Sequence, residues 1–115
     1  YTADHILIAS GSAPIMPDLE GIEHCIHSDH IFDMEELPES MVILGGGYIG
    51  LEIGQIMNAF GVKVTSVVRN KILANVDQEV VEVLINEMKK HGMDVRLGVN
   101  INKITKQEND VGIYI

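Results

Sequence analysis

Met41-Val42-Ile43-Leu44-Gly45-Gly46-Gly47-Tyr48-Ile49-Gly50 is the stretch on which the fold turns. Four consecutive apolar residues have the unbroken hydrophobicity of a strand covered on both faces. Three glycines end it at once. From about Gly47 to Phe60 the apolar period becomes helical, with Ile49, Ile53, Ile56, Met57 and Phe60 on one expected inner face. Gly61 stands where a helix C-cap belongs, and Val62-Lys63-Val64-Thr65-Ser66-Val67-Val68 has the β-branched content of a following strand.

The same alternation continues outward. Asp77 can cap a second helix whose inner face is Val81, Leu84, Ile85 and Met88; Lys89, Lys90 and His91 suit its negative end, and Gly92 stops it. Residues 93–97 read as a third strand. Residues 99–105 and 111–115 read as paired strands joined across Gln107-Glu108-Asn109-Asp110. Before the glycine turn, residues 5–9 read as a short buried strand, and Pro14, Pro17 and Gly21 punctuate a loop. Ser28 or Asp29 can cap a helix reaching Glu36, which Pro38 stops. Strand, helix, strand, helix, strand implies an α/β fold: a central parallel sheet with right-handed crossovers, on which the last two strands are expected to lie as an antiparallel flap.

The chain has 115 residues, enough for one domain, and only 4% are aromatic with no Trp, so the core must be largely aliphatic. A net charge of −9 and a pI near 4.8 repel phosphate backbones and anionic lipid, which argues against nucleic-acid and membrane partners. No apolar run approaches the roughly 20 residues of a membrane span. Cys25 is the sole cysteine, so there is no internal disulfide framework, in keeping with a reducing, cytoplasmic setting. The chain opens without Met and ends inside an apolar run, so it is expected to be a piece of a longer polypeptide.

Gly45-Gly46-Gly47-Tyr48-Ile49-Gly50 fits the spacing G-x-G-x-x-G between a strand and a helix. Gly45 permits the tight turn, Gly47 lets backbone approach a diphosphate, and Gly50 lets helix pack close to strand. Unpaired N–H groups and the positive end of the helix would face the diphosphate. A ligand-free glycine turn is the plainer alternative, and the flanking elements weigh against it. The end of the second strand reads Val67-Val68-Arg69-Asn70-Lys71. NAD binders place a carboxylate there for the ribose hydroxyls, whereas an Arg accommodates a 2′-phosphate. Arg69, Asn70 and Lys71 therefore favour NADP(H). A solvated basic loop is the alternative, and Gly50, a position where many NADP binders carry Ala, leaves NAD open.

His24-Cys25-Ile26-His27-Ser28-Asp29-His30 has metal-ligating side chains, but four ligands within seven residues would strain a tetrahedral site, so no metal is expected. Met57 and Met88 are read as core filler and the acidic residues of 77–87 as a solvated helix face.

Taken together, these segments resemble the pyridine nucleotide–disulfide oxidoreductases over essentially the whole chain. Ile6-Leu7-Ile8-Ala9-Ser10-Gly11-Ser12-Ala13-Pro14 is similar to the family's I-A-T-G-x-x-P segment, with Ser10 for Thr. Residues 17–21 are similar to its P-x-I-P-G stretch, with Leu19-Glu20 for Ile-Pro. Ser28-Asp29-His30-Ile31-Phe32 and Glu36-Leu37-Pro38 resemble the glutathione reductase-like branch, and Val76-Asp77 stands where the family has Phe-Asp.

The resemblance implies a Rossmann-like three-layer FAD/NAD(P)-binding fold. Residues 1–22 would link to a flavin domain, with Ser10 and Gly11 at the FAD-contacting edge, and residues 40–115 would be the dinucleotide-binding unit. It implies that Tyr48 covers the flavin until nicotinamide enters, that Glu52 orients the nicotinamide carboxamide, and that Arg69 meets the 2′-phosphate. A second Arg of NADP-dependent members is Ala74 here, and the loop is one residue shorter. The family's redox cysteine pair precedes this region, and its catalytic His and dimer interface follow it. Cys25 is thus not the redox cysteine, and the chain by itself is expected to bind nucleotide without turnover. The implied parent is a homodimeric FAD-dependent disulfide reductase using NADPH. An NADH-dependent lipoamide dehydrogenase-type domain and a non-catalytic nucleotide-binding module remain the alternatives.

Overall fold

Residues 1–107 and 111–114 are described by the computed structural model. They form α1 (Ser28–Ile31), β1 (Ser40–Leu44), α2 (Tyr48–Ala59), β2 (Lys63–Val68), α3 (Gln78–Lys90), β3 (Asp94–Leu97), β4 (Lys103–Lys106) and β5 (Val111–Tyr114), with a 3₁₀ turn at Ile22–His24. The first three strands make a parallel sheet in the order β1-β2-β3. Leu44 lies beside Val67, and Val68 beside Leu97. This register brings the turn after β1 and the loop after β2 to one end of the sheet, the place where ligands bind in open α/β folds.

One apolar cluster holds the unit together. Leu51 and Met57 of α2, Val81 and Met88 of α3, and Val64, Val68 and Val95 of the sheet are all buried within it. Ile72, 1% exposed, belongs to the same cluster although it lies in a loop. Asp77 caps α3 by accepting the Glu79 N–H at 3.0 Å, and Lys89 and Lys90 occupy the last turn before Gly92. The second helix and its inner face thus follow the expected pattern, with Leu84 and Ile85 packed at the margin.

The inner face of α2 differs from the one its apolar residues suggest. Leu51, Gly54 and Met57 are buried, while Ile49, Ile56 and Phe60 are 45%, 53% and 67% exposed. Gly50 and Gly54 face the sheet so closely that a β-carbon on either would come within 3.0 Å and 2.8 Å of the Ile43 side chain. Close approach through glycine fixes the helix rotation, and the isoleucines on the other flank turn outward.

Three further differences have local causes. Residues 5–9 form no strand, and Ile6, Leu7 and Ile8 are 78%, 90% and 83% exposed, because no described segment pairs with them. The helix expected to reach Glu36 is a single turn, α1, that ends at Ile31. Its N-cap is His27, whose N–H donates to His30 Nδ1 at 3.2 Å, and Phe32, the residue after its last turn, is 84% exposed and adds no packing to extend it. Strands β4 and β5 are antiparallel as expected but form a separate two-stranded sheet rather than a flap hydrogen-bonded to the parallel one. They are tied to the Glu20 region instead, where the Ile104 N–H donates to the Glu20 carbonyl at 2.8 Å. The connection through 108–110, and Ile115, lie outside the described residues.

Candidate nucleotide site

The turn after β1 is built from three glycines with three different environments. The Gly45 N–H donates to the Val67 carbonyl at 2.9 Å, and its φ of +119° is a conformation essentially reserved for glycine. Gly46 is pressed against the loop that follows β2. A β-carbon there would lie 2.8 Å from the Lys71 carbonyl oxygen, 2.9 Å from Val68 Cγ1 and 3.0 Å from Ile72 Cα. Gly47 has ordinary extended angles, φ −78° and ψ 162°, and a β-carbon on it would meet nothing within 4 Å. It is the N-cap of α2, with no capping side chain, and the first turn of α2 holds no acidic residue. The positive end of the helix therefore opens onto free space without a local counter-charge.

The loop after β2 is fastened at several points. Ile72 is buried, and the Leu73 N–H donates to the Gly46 carbonyl at 2.8 Å. Leu73 adopts φ +44°, an uncommon conformation for a branched residue. Its carbonyl accepts the Val76 N–H at 2.8 Å, and Gln78 Nε2 donates to the Val76 carbonyl at 2.8 Å. Arg69, Asn70 and Lys71 project from this fastened base and are exposed. Neither Arg69 nor Lys71 makes an ion pair among the described residues, whereas Lys90 and Arg96 pair with Glu87 and Asp94. Two unneutralised cations thus stand next to an anion-ready turn in a chain of net charge −9.

Tyr48 opens α2 and is 63% exposed, and Glu52 lies one helical turn on, also exposed. Their spacing of four places both on one side of the helix. The structure therefore brings Gly45, Gly46, Gly47, Tyr48, Ile49, Gly50 and Glu52 to the same end of the sheet as Arg69, Asn70 and Lys71. Ser10 and Gly11 are not joined to them: both are exposed and make no hydrogen bond among the described residues. Ile72, Leu73 and Gln78, which hold the basic loop in place, escaped the sequence reading. The apolar pair Ile72-Leu73 directly after Lys71 is the available signal.

A cavity of about 740 Å³ runs along the free edge of β1, lined by Cys25, His27, Ile31, Val42, Leu44 and Ile49 among others. Cys25 is half-buried, and burial pushes its thiol pKa upward. The His27 and His30 rings lie 3.8 Å apart between centroids. Among the described residues no group of three or more His, Cys, Asp or Glu is arranged to hold a metal ion, and no helix is long and apolar enough to cross a membrane.

Comparison with known proteins gives the family and the fold. The model of the family "Pyridine nucleotide-disulphide oxidoreductase" matches residues 1–114. The chain is 37% identical to glutathione reductase of Burkholderia cepacia, covering 99% of the chain and 26% of that protein. It is 41% identical to trypanothione reductase of Trypanosoma congolense, over 89% of the chain and 22% of that protein. Among solved structures, the HOCl-induced flavoprotein disulfide reductase RclA from Escherichia coli superposes with a TM-score of 0.85 at 28% identity, over 92% of this chain and 25% of that one. An engineered water-forming NADPH oxidase bound to NADPH gives 0.78 at 26% identity, over 91% and 26% of the two chains. The chain spans about a quarter of the length of the curated relatives it matches. With a parallel α/β unit, a glycine turn in the strand-to-helix position and a family match over nearly every residue, the chain belongs to the pyridine nucleotide–disulphide oxidoreductase family.

Proposed function

We propose that the chain is the NADPH-binding region of an FAD-dependent, glutathione reductase-like disulfide reductase, and that it positions nicotinamide for hydride transfer to flavin. The observation that carries this reading is the direct packing of the glycine turn at 45–47 on the loop bearing Arg69 and Lys71. One surface would read the diphosphate that both dinucleotides carry, and its neighbour the additional 2′-phosphate that separates NADPH from NADH. When bound, NADPH supplies the hydride and FAD passes the electrons to a disulfide elsewhere in the parent chain.

The chain's own residues bind and orient. Backbone N–H groups at the start of α2 receive the diphosphate, and Arg69, Asn70 and Lys71 receive the 2′-phosphate. Tyr48 covers the flavin side of the nicotinamide pocket and gives way to the ring, and Glu52 holds the carboxamide. Residues 1–22 connect to the flavin domain, with Ser10 and Gly11 at its edge. The parent is a homodimer of a reducing, cytoplasmic compartment.

The solved relatives support the cofactor choice. A water-forming NADH oxidase from Lactobacillus brevis is described bound to NADH. Its engineered form is described bound to NADPH, with substitutions that include aspartate to alanine and alanine to arginine. Loss of a carboxylate and gain of an arginine is the chemical pattern that this chain carries naturally after β2. Gly50 packs against Ile43, where a β-carbon would lie 3.0 Å from Cγ2, and it remains the feature that favours NADH.

Calorimetric titration with NADPH and NADH tests the reading. Replacing Arg69 by Glu exchanges a charge-assisted contact for repulsion in an exposed, high-dielectric setting, so NADPH binding should weaken by about 2–4 kcal/mol, roughly 30- to 1000-fold, while NADH binding barely changes. Equal or tighter binding of NADH by the unsubstituted chain would retire the NADPH assignment.

A further inference from the structure

We infer that His30 makes the single turn α1 proton-sensitive, so that acid unlatches one wall of the cavity at the free edge of β1. α1 is four residues long, too short to be held by its own backbone bonds alone. A capping box closes it. In such a box the third helical residue reaches back to the N-cap N–H, a role ordinarily filled by Glu or Gln. Here His30 fills it. Its Nδ1 accepts the His27 N–H at 3.2 Å, and its own N–H donates to the His27 carbonyl at 3.1 Å. An imidazole accepts at Nδ1 only while that nitrogen carries no proton. Histidine, unlike Gln, gains a second ring proton in the physiological range, and both nitrogens then donate. His30 is exposed, so protons reach it from solvent.

Protonation weakens the latch in two ways. The bond to the His27 N–H is lost, and the His27 ring, 3.8 Å away between centroids, becomes a like-charged neighbour once it too is protonated. Asp29 answers the charge on His27, with Oδ2 3.7 Å from Nδ1, and makes no ion pair with His30. Of the titratable groups before the turn, Glu23 lies 3.9 Å from His24 and Cys25 is half-buried. Asp33, Glu35 and Glu36 follow the turn, and α2, packed on α1, carries Tyr48 and Glu52. None of these bonds or pairs with His30 among the described residues. Ser28 and Ile31 line the cavity together with Cys25, and Ile31 packs at the margin of the core. Opening the turn therefore frees Ile31 and uncovers Cys25.

NMR spectra of the chain between pH 8 and pH 5 provide the test. At pH 8 His30 should be the Nε2–H tautomer, and Ser28–Ile31 should have helical Cα chemical shifts. Those shifts should move toward coil values together with the His30 ring titration, while the shifts of α2 and α3 stay fixed. Reaction of Cys25 with 4,4′-dithiodipyridine, expressed at each pH relative to the urea-unfolded chain, should rise roughly fivefold over the same interval, the factor that a typical lost cap corresponds to. His30→Gln supplies an acceptor that does not titrate, so its turn should stay helical and its relative Cys25 rate flat down to pH 5. His30→Ala should be open at both ends of the range. Shifts in α1 that ignore pH, an Nδ1–H tautomer at pH 8, or a His30→Gln chain that responds to acid like the original would each overturn the role of His30.

Discussion

Gly47→Ala separates what the fold needs from what a ligand needs. Position 47 has φ −78° and ψ 162°, angles that alanine adopts freely, and its β-carbon would meet no atom within 4 Å. Two small terms act on stability. Alanine is a poorer N-cap than glycine, at about 0.5–1.5 kcal/mol. It also restricts the unfolded chain, which stabilises by about 0.4–1 kcal/mol. These nearly offset, so the melting temperature should move by no more than about 4–8 °C. Binding should respond differently. The methyl group fills the open space above the turn and holds a diphosphate away from the N–H groups of α2. Loss of even one charge-assisted hydrogen bond, about 1.5–3 kcal/mol, corresponds to roughly 10- to 150-fold in Kd. NADPH and NADH share the diphosphate, so both should weaken by the same factor. Thermal unfolding followed by circular dichroism and titration calorimetry on one preparation give both numbers. Undiminished affinity in a folded Gly47→Ala chain would refute the assignment of the turn. So would a loss confined to NADPH.

Other substitutions probe the frame around the site. Gly21 has φ +83°, and a β-carbon there would collide with the Ile104 carbonyl oxygen. Gly21→Ala should therefore combine left-handed strain of about 1–2 kcal/mol with loss of the Ile104-to-Glu20 hydrogen bond of about 0.5–1.5 kcal/mol. Urea denaturation should show at least about 2 kcal/mol of destabilisation, and a midpoint equal to that of the unsubstituted chain would contradict the tie between β4 and Glu20. The buried setting of Cys25 raises its folded pKa, so this group's stabilising contribution is complete below the unfolded thiol pKa and is lost as pH rises through the folded one. Iodoacetamide at pH 8 should modify Cys25 more slowly than an unstructured cysteine peptide, and denaturant should abolish the difference; equal rates in the folded state would mean that the thiol is not shielded.

Much of the site was legible because its determinants are local. The switch from Met41-Val42-Ile43-Leu44 to glycine and then to a helical period marks β1, the turn and α2 within twenty residues. Asp77 and Gly92 bracket α3 by the ordinary chemistry of helix ends. What escaped depends on contacts between distant segments or on what glycine does by lacking a side chain. Hydropathy counts Gly50 and Gly54 as nearly neutral, yet their closeness to Ile43 decides which side of α2 is inward, so Ile49, Ile56 and Phe60 lie exposed despite their helical apolar period. The close packing of Gly46 on the loop at 71–73 joins segments more than twenty residues apart and has no signature in the local sequence. Apolar residues 6–8 imply a strand only where a partner strand exists, and among the described residues there is none.

Amide chemical-shift mapping during an NADPH titration interrogates the anion-binding turn atom by atom. The largest changes should fall on the N–H groups of Gly46, Gly47, Tyr48 and Ile49 and on Arg69, Asn70 and Lys71, with NADH reproducing the first set and not the second. Perturbations centred instead on the β1-edge cavity around Cys25 and His27, with 46–49 silent, would mean that dinucleotide does not bind at the glycine turn.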